Sequence, residues 1–92
     1  MILRSLTVIN KTGIHARPAM AIVEIASRAA SSVTLICGGN RANAKSILNL
    51  MTLVITPGTQ VQFEIDGSDE DEVFQKLEKL FHDRFNEDHY DP

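Results

Sequence analysis

The sequence is poor in the features that mark secreted, membrane-spanning and nucleic-acid-binding proteins. Its one cysteine, Cys37, cannot form an internal disulfide, which favours a reducing compartment. No apolar run is long enough to cross a membrane, and the first residues lack the pattern of a secretory signal. The net charge of −3 argues against a nucleic-acid-binding surface, which is usually basic. We therefore expect a cytoplasmic protein that binds neither membranes nor nucleic acid.

The chain has the size and composition of one small globular domain. Its 92 residues are 43% hydrophobic, which is ordinary for a folded protein and argues against disorder. We expect a single domain over residues 1–92, with an ordered core over about residues 1–85. Residues 87–92 are mostly polar and show no apolar period, so this tail is expected to fray.

Alternating apolar and polar residues predict four short strands. They lie near residues 2–9, 32–37, 41–43 and 60–65. Gly38, Gly39 and Asn40 predict a hairpin between the second and third strands. Alternation of this kind favours one antiparallel sheet with a polar face and a face covered by helices.

Helical spacing of apolar residues predicts three helices. The first carries a buried stripe from Ala19 to Ala30, and the second is capped by Ser46 and ends near Leu53. The third is capped by Ser68 or Asp69 and has a buried stripe at Val73, Leu77, Leu80, Phe81 and Phe85. The order is β-α-β-β-α-β-α, an α+β fold.

A histidine stands where a loop turns into the first helix. Pro18 fits the first helical turn, since the amide it lacks would have no partner within the helix. His15 therefore lies beside backbone amides that can hold a phosphate, and Arg17 can add a bidentate contact. This pattern predicts a phosphoryl-accepting imidazole, but a cap or a solvated surface histidine would have the same spacing.

Three segments, in order, resemble the HPr family, the histidine-containing phosphocarriers of the bacterial phosphoenolpyruvate-dependent sugar phosphotransferase system. Residues 12–19 read TGIHARPA and resemble the active-site signature of the family. Residues 43–51 read NAKSILNLM and resemble its regulatory serine segment, and residues 67–72 read GSDEDE and resemble the turn before its last helix. The resemblance covers nearly the whole chain and implies an open-faced β-sandwich, with a four-stranded antiparallel sheet covered on one face by three helices.

The resemblance also implies a function. Enzyme I would donate a phosphoryl group to Nδ1 of His15, which would pass it to the IIA domains of sugar permeases. Arg17 would stabilise the phosphate, and the backbone amides of Ala16 and Arg17 would bind it. Such a carrier is not an enzyme in the ordinary sense, needs no cofactor or metal, and is expected to be a monomer.

Ser46 has two interpretations. A serine at the start of a helix is usually a cap. The resemblance implies a regulatory site, phosphorylated by an HPr kinase/phosphorylase and then recognised by a catabolite-control repressor. It further implies that partners dock on Met20, Ile47, Leu48 and Met51.

The chain has two further histidines and departs from the family pattern at several positions. His82 and His89 lack an anion-binding environment, and with Cys37 they form no zinc-ligand spacing. Asn49 stands where the family often has glycine, and residues 54–57 are unusually apolar and contain a proline. Two alternatives stay open: a regulatory binding module acting through Ser46, and a carrier in a nitrogen-related phosphotransferase branch.

Overall fold

The computed structural model describes residues 1–11 and 13–85, and the expected fraying of residues 87–92 lies outside this range. The secondary structure follows the predicted order. Its elements are β1 (Ile2–Thr7), α1 (Ala16–Ser27), β2 (Ser32–Cys37), β3 (Asn40–Asn43), α2 (Ile47–Leu50), β4 (Gln60–Asp66) and α3 (Glu70–His82).

The four strands form one antiparallel sheet in the order β1-β4-β2-β3. Along β4, Val61, Phe63 and Ile65 are buried, whereas Gln60 and Gln62 are exposed. This alternation arises because successive side chains of a strand point to opposite faces. The α+β fold predicted from the sequence is confirmed.

The core lies between the sheet and the helices. α1 contributes Ala19 and Ile22, and α3 contributes Leu77 and Phe81. The rings of Phe81 and Phe63 meet edge to face, with their centroids 5.6 Å apart. Burying a side chain such as leucine or phenylalanine contributes about 1.5–3 kcal/mol, so this layer of contacts holds α1 and α3 on one face of the sheet.

Two predicted boundaries were too long. β1 ends at Thr7 rather than near residue 9, although Val8 still bonds to the turn before β4 (Val8 N to Thr59 O, 2.9 Å; Gly58 N to Val8 O, 2.7 Å). α2 ends at Leu50 rather than near Leu53. The amide of Leu53 donates to the carbonyl of Leu50 over 3.0 Å, a tighter turn than an α-helix has.

The residue predicted to cap α3 stands at the right position but bonds to a different part of the chain. Asp69 stands at the N-cap position, but within the described part of the chain its carboxylate makes no capping bond to α3. It instead accepts hydrogen bonds from the amides of Ala30 and Ser31, each over 2.9 Å, and from the Ser31 hydroxyl. The contact joins the segment after α1 to the start of α3, and Ala30, predicted to be buried, is exposed.

These contacts fix how α1 is oriented. Its end meets the start of α3 through Asp69, so the two helices run in opposite directions. Its end also meets the residue before Ser46, because Lys45 Nζ donates to the Ala29 carbonyl over 3.2 Å. His15 therefore lies at one end of α1, and the Lys45 side chain reaches the other.

Candidate functional site

The loop before α1 is held against the segment that leads to β4. The Ile14 amide donates to the Ile55 carbonyl over 3.0 Å, and Asn10 Nδ2 donates to the Gly13 carbonyl over 2.7 Å. Gly13 has a φ of +71°, and a Cβ atom there would lie 2.5 Å from the Ile55 carbonyl oxygen. Only glycine suits both constraints, so the loop reaches the helix in one fixed path.

His15 stands at the N-cap position of α1, in an extended conformation with φ −127° and ψ −160°. Over the residues that the structure describes, its side chain makes no capping hydrogen bond. The residue is exposed. The imidazole is therefore not used as a cap, and a second protein can approach it.

The first turn of α1 directs backbone amides towards the same place. The first intrahelical bond joins the amide of Ala19 to the carbonyl of His15 over 2.9 Å, so the amides of Ala16 and Arg17 precede it. Pro18, which has no amide, is buried in this turn. Arg17 is exposed two residues from His15, and a helix N-terminus of this kind can stabilise negative charge.

Among the described residues, the structure shows neither a second histidine in such a setting nor a metal site. His82 is exposed at the end of α3, with its Nδ1 atom 3.5 Å from Asp83 Oδ1, and His89 lies outside the described residues. Within residues 1–11 and 13–85, no group of three or more His, Cys, Asp or Glu residues is placed to hold a metal ion. No helix in the same ranges is long and apolar enough to cross a membrane.

Ser46 caps α2, as its position in the sequence predicts. Its hydroxyl accepts a hydrogen bond from the Asn49 amide over 3.2 Å. Asn49 in turn accepts one from the Asn43 amide at its Oδ1 atom, over 2.6 Å. Ser46 is half-buried. The capping interpretation is therefore confirmed, while a regulatory role is a separate question.

Apolar side chains are exposed around α2, which packs against α1. Of the four predicted docking residues, Met20 is 54%, Leu48 80% and Met51 46% exposed, while Ile47 is partly buried against the core. Val54, outside that predicted set, is 87% exposed.

The fold and the site together define a class: a small open-faced β-sandwich that presents an exposed histidine at a helix N-terminus. Residues 2–83 match the family model described as the PTS HPr component phosphorylation site. The chain belongs to the HPr family, the phosphocarrier component of the phosphotransferase system.

Individual relatives agree with this assignment. The chain is 44% identical over 88 residues to the phosphocarrier protein HPr of Xylella fastidiosa, covering 96% of this chain and 99% of the relative. It superposes on the crystal structure of HPr-C-His from Thermoanaerobacter tengcongensis with a TM-score of 0.89 and 36% identity, covering 95% and 98% of the two chains. It is also 43% identical over 77 residues to the HPr-like protein Crh, the catabolite repression HPr of Bacillus subtilis, covering 84% and 91%.

Proposed function

We propose that this chain accepts a phosphoryl group on His15 from phosphorylated enzyme I and passes it to the IIA domains of sugar permeases. The observation that carries the proposal is the exposed His15 imidazole beside the first amides of α1. A ring nitrogen, Nδ1 by family resemblance, attacks the phosphorus with its lone pair. The bond from phosphorus to the donor atom of enzyme I breaks, and that atom keeps the electron pair.

The chain supplies position and charge rather than a complete active site. Phosphoryl transfer depends mainly on alignment and on stabilising the charge of the equatorial oxygens. Here the amides of Ala16 and Arg17 and the Arg17 guanidinium provide that stabilisation. Because His15 is exposed, the partner protein completes the site, and the chain acts as a carrier and not as an enzyme.

Ser46 is proposed as a regulatory phosphorylation site, with an HPr kinase/phosphorylase and a catabolite-control repressor as partners. The half-exposed position of Ser46 and the similarity to Crh support this role. A phosphate on Ser46 would add negative charge near the exposed side chains of Leu48 and Met51, and we propose that it acts through partner docking on the surface formed by Met20, Leu48 and Met51.

We infer that the chain is a single-domain, monomeric protein of the cytoplasm that uses no cofactor. An apolar surface that several partners approach in turn suits adaptable methionine side chains, such as the exposed Met20 and Met51.

The test is phosphorylation in vitro. With phosphoenolpyruvate and enzyme I, the protein should gain one acid-labile phosphate per chain, measured by intact mass at alkaline pH and after acid treatment. His15→Ala should abolish the gain, because no other described histidine has amide donors beside it. His82→Ala is the matched control and should label like the parent. A His15→Ala protein that is still labelled by enzyme I would contradict the site.

A further inference from the structure

Asn10 is a buried polar residue in the loop before α1, where its exposed fraction is 0%. A buried amide group needs hydrogen-bond partners, since burial without them costs free energy. Asn10 Nδ2 donates to the Gly13 carbonyl over 2.7 Å. Because a carbonyl oxygen only accepts hydrogen bonds, this contact determines which end of the Asn10 amide faces Gly13.

The peptide group that joins Gly13 to Ile14 is held at both ends. Its carbonyl accepts the hydrogen bond from Asn10 Nδ2, and its amide donates to the Ile55 carbonyl over 3.0 Å. A peptide group is planar and rigid, so two bonds on its opposite sides fix its orientation. This group lies one residue before His15, and it therefore sets the direction from which the chain enters the site.

The backbone on the other side of His15 is held as well. The His15 carbonyl accepts the first intrahelical bond of α1 from the Ala19 amide, over 2.9 Å. His15 stands between these two anchored groups, with φ −127° and ψ −160°. The direction in which the imidazole leaves the backbone is thus set by α1 on one side and by the held peptide group on the other. Asn10 is the side chain that reaches the second of these anchors.

We infer that Asn10 is a positioning residue for phosphoryl transfer, which acts through the Gly13 carbonyl to hold the His15 imidazole in line with the donor phosphorus. This inference rests on the proposed function of His15. Phosphoryl transfer depends mainly on alignment, and a displacement of about 1 Å costs on the order of 10²-fold in rate. Asn10 is buried too deeply to touch a partner, so its effect reaches the reaction through the backbone of the loop.

The test follows two variants in the phosphorylation of this chain by phosphoenolpyruvate and enzyme I. Asn10→Ala removes the amide, and Asn10→Asp keeps its size but, as a carboxylate, cannot donate to the Gly13 carbonyl. For both variants we expect kcat to fall about 10- to 100-fold and KM to stay unchanged, because the surface that the partner meets is the same. The Ile14 amide should exchange its hydrogen faster than in the parent, while the amides of α3 keep their protection.

Ser31→Ala is the matched control. Ser31 is also 0% exposed, and its hydroxyl donates to the Asp69 carboxylate beyond the opposite end of α1 from His15. This variant likewise loses a buried hydrogen bond and should have a lower urea midpoint. Its kcat should nevertheless equal that of the parent. A role of Asn10 in stability alone would instead give Asn10→Ala and Ser31→Ala the same kcat.

Each result has a definite meaning. A folded Asn10→Ala or Asn10→Asp protein with the kcat of the parent overturns the inference and leaves the role of His15 intact. A rise in KM at constant kcat also overturns it, because Asn10 would then act on docking. In the parent itself, an Ile14 amide that exchanges as fast as an exposed amide would show that the peptide group is not held, and would overturn the inference without any variant. A parent chain that enzyme I does not label removes the proposed function and this inference together.

Discussion

At Gly13, the loop that carries His15 passes so close to Ile55 that no side chain fits. Gly13→Ala would combine a strained positive φ with a Cβ atom 2.5 Å from the Ile55 carbonyl oxygen. Gly58→Ala is a matched control, because Gly58 has a φ of +87° but open space around it. We expect the control to lose about 1–2 kcal/mol of unfolding free energy from strain, and Gly13→Ala to lose about 1–3 kcal/mol more.

Urea denaturation measures both variants. Gly13→Ala should also slow phosphorylation, because relief of the clash displaces the loop that ends at His15. If the two variants lost the same free energy, the close approach of the loop to Ile55 would not constrain the site.

The Arg17 side chain is expected to affect the rate of phosphorylation and not the unfolding free energy. Removing a preorganised charge-stabilising donor from a reacting site costs on the order of 10²-fold in rate, and Arg17→Ala should slow labelling by enzyme I by about that factor. Its unfolding free energy should stay within about 0.5 kcal/mol of the parent, because Arg17 is exposed. Arg17→Lys should give an intermediate rate, since lysine keeps the charge without the bidentate geometry; an unchanged rate for Arg17→Ala would contradict the assigned role.

Among the elements, α2 is short enough for a single cap to affect it. Ser46→Ala removes the acceptor of the Asn49 amide and should lower the unfolding free energy by about 1 kcal/mol, as measured by urea denaturation. Ser46→Asp restores an acceptor and should recover most of that loss.

The same pair separates the two roles of Ser46. Ser46→Asp adds negative charge beside the docking surface and should weaken phosphorylation by enzyme I, while Ser46→Ala should leave it near the parent rate. Equal kinetics for all three proteins, with the stability difference intact, would reduce Ser46 to a structural cap.

The elements that depend on local sequence patterns were predicted well. β4 follows its apolar alternation from end to end, and the hairpin between β2 and β3 turns at Gly38 and Gly39, both with positive φ. The errors arose where a distant partner decides. The carboxylate of Asp69 bonds to Ser31, 38 residues away in sequence, and no local pattern reveals such a choice. Phe74, outside the predicted stripe of α3, is buried and lies below Arg4 of β1, whose guanidinium carbon is 5.5 Å from the ring centroid.

For the whole molecule, the bond between Asp69 and Ser31 links two loops from opposite halves of the chain. The Ser31 hydroxyl, and then the Ala30 amide, hold the pKa of the Asp69 carboxyl below its usual value. A backbone hydrogen bond from Gly67 likewise lowers the pKa of Glu70. A carboxyl whose pKa is lower in the folded chain stabilises the fold above its unfolded pKa, and this contribution is lost as the pH falls through the folded value.

We therefore expect the urea midpoint to fall as the pH is lowered below about 5. Asp69→Asn should have a lower midpoint at neutral pH and a smaller decrease in acid, because part of the titrating contribution is already absent. Glu78→Gln changes an exposed carboxyl of α3 and is the control, with a pH profile parallel to that of the parent. An Asp69→Asn profile parallel to the parent would show that this contact does not govern acid sensitivity.

The candidate site was predictable to the extent that its chemistry is contiguous in sequence. His15, Arg17 and Pro18 lie within one turn of chain, so the pattern and its resemblance to the HPr family indicated the site directly. The pairing of the loop before α1 with the segment at Ile55 was not predictable. The bridge between Ile14 and Ile55 is isolated and joins residues 41 positions apart (55 minus 14), so no periodicity marks it.

The uncovered side of the sheet, where Ser5, Gln62, Ile36 and Arg41 lie in register across the four strands, has a practical consequence. An antibody fragment raised against that face would bind the side of the sheet opposite the helices and leave the helices and the His15 imidazole accessible. It could measure total protein in an immunoassay whatever the phosphorylation state of His15 or Ser46, and could stay bound during phosphoryl transfer.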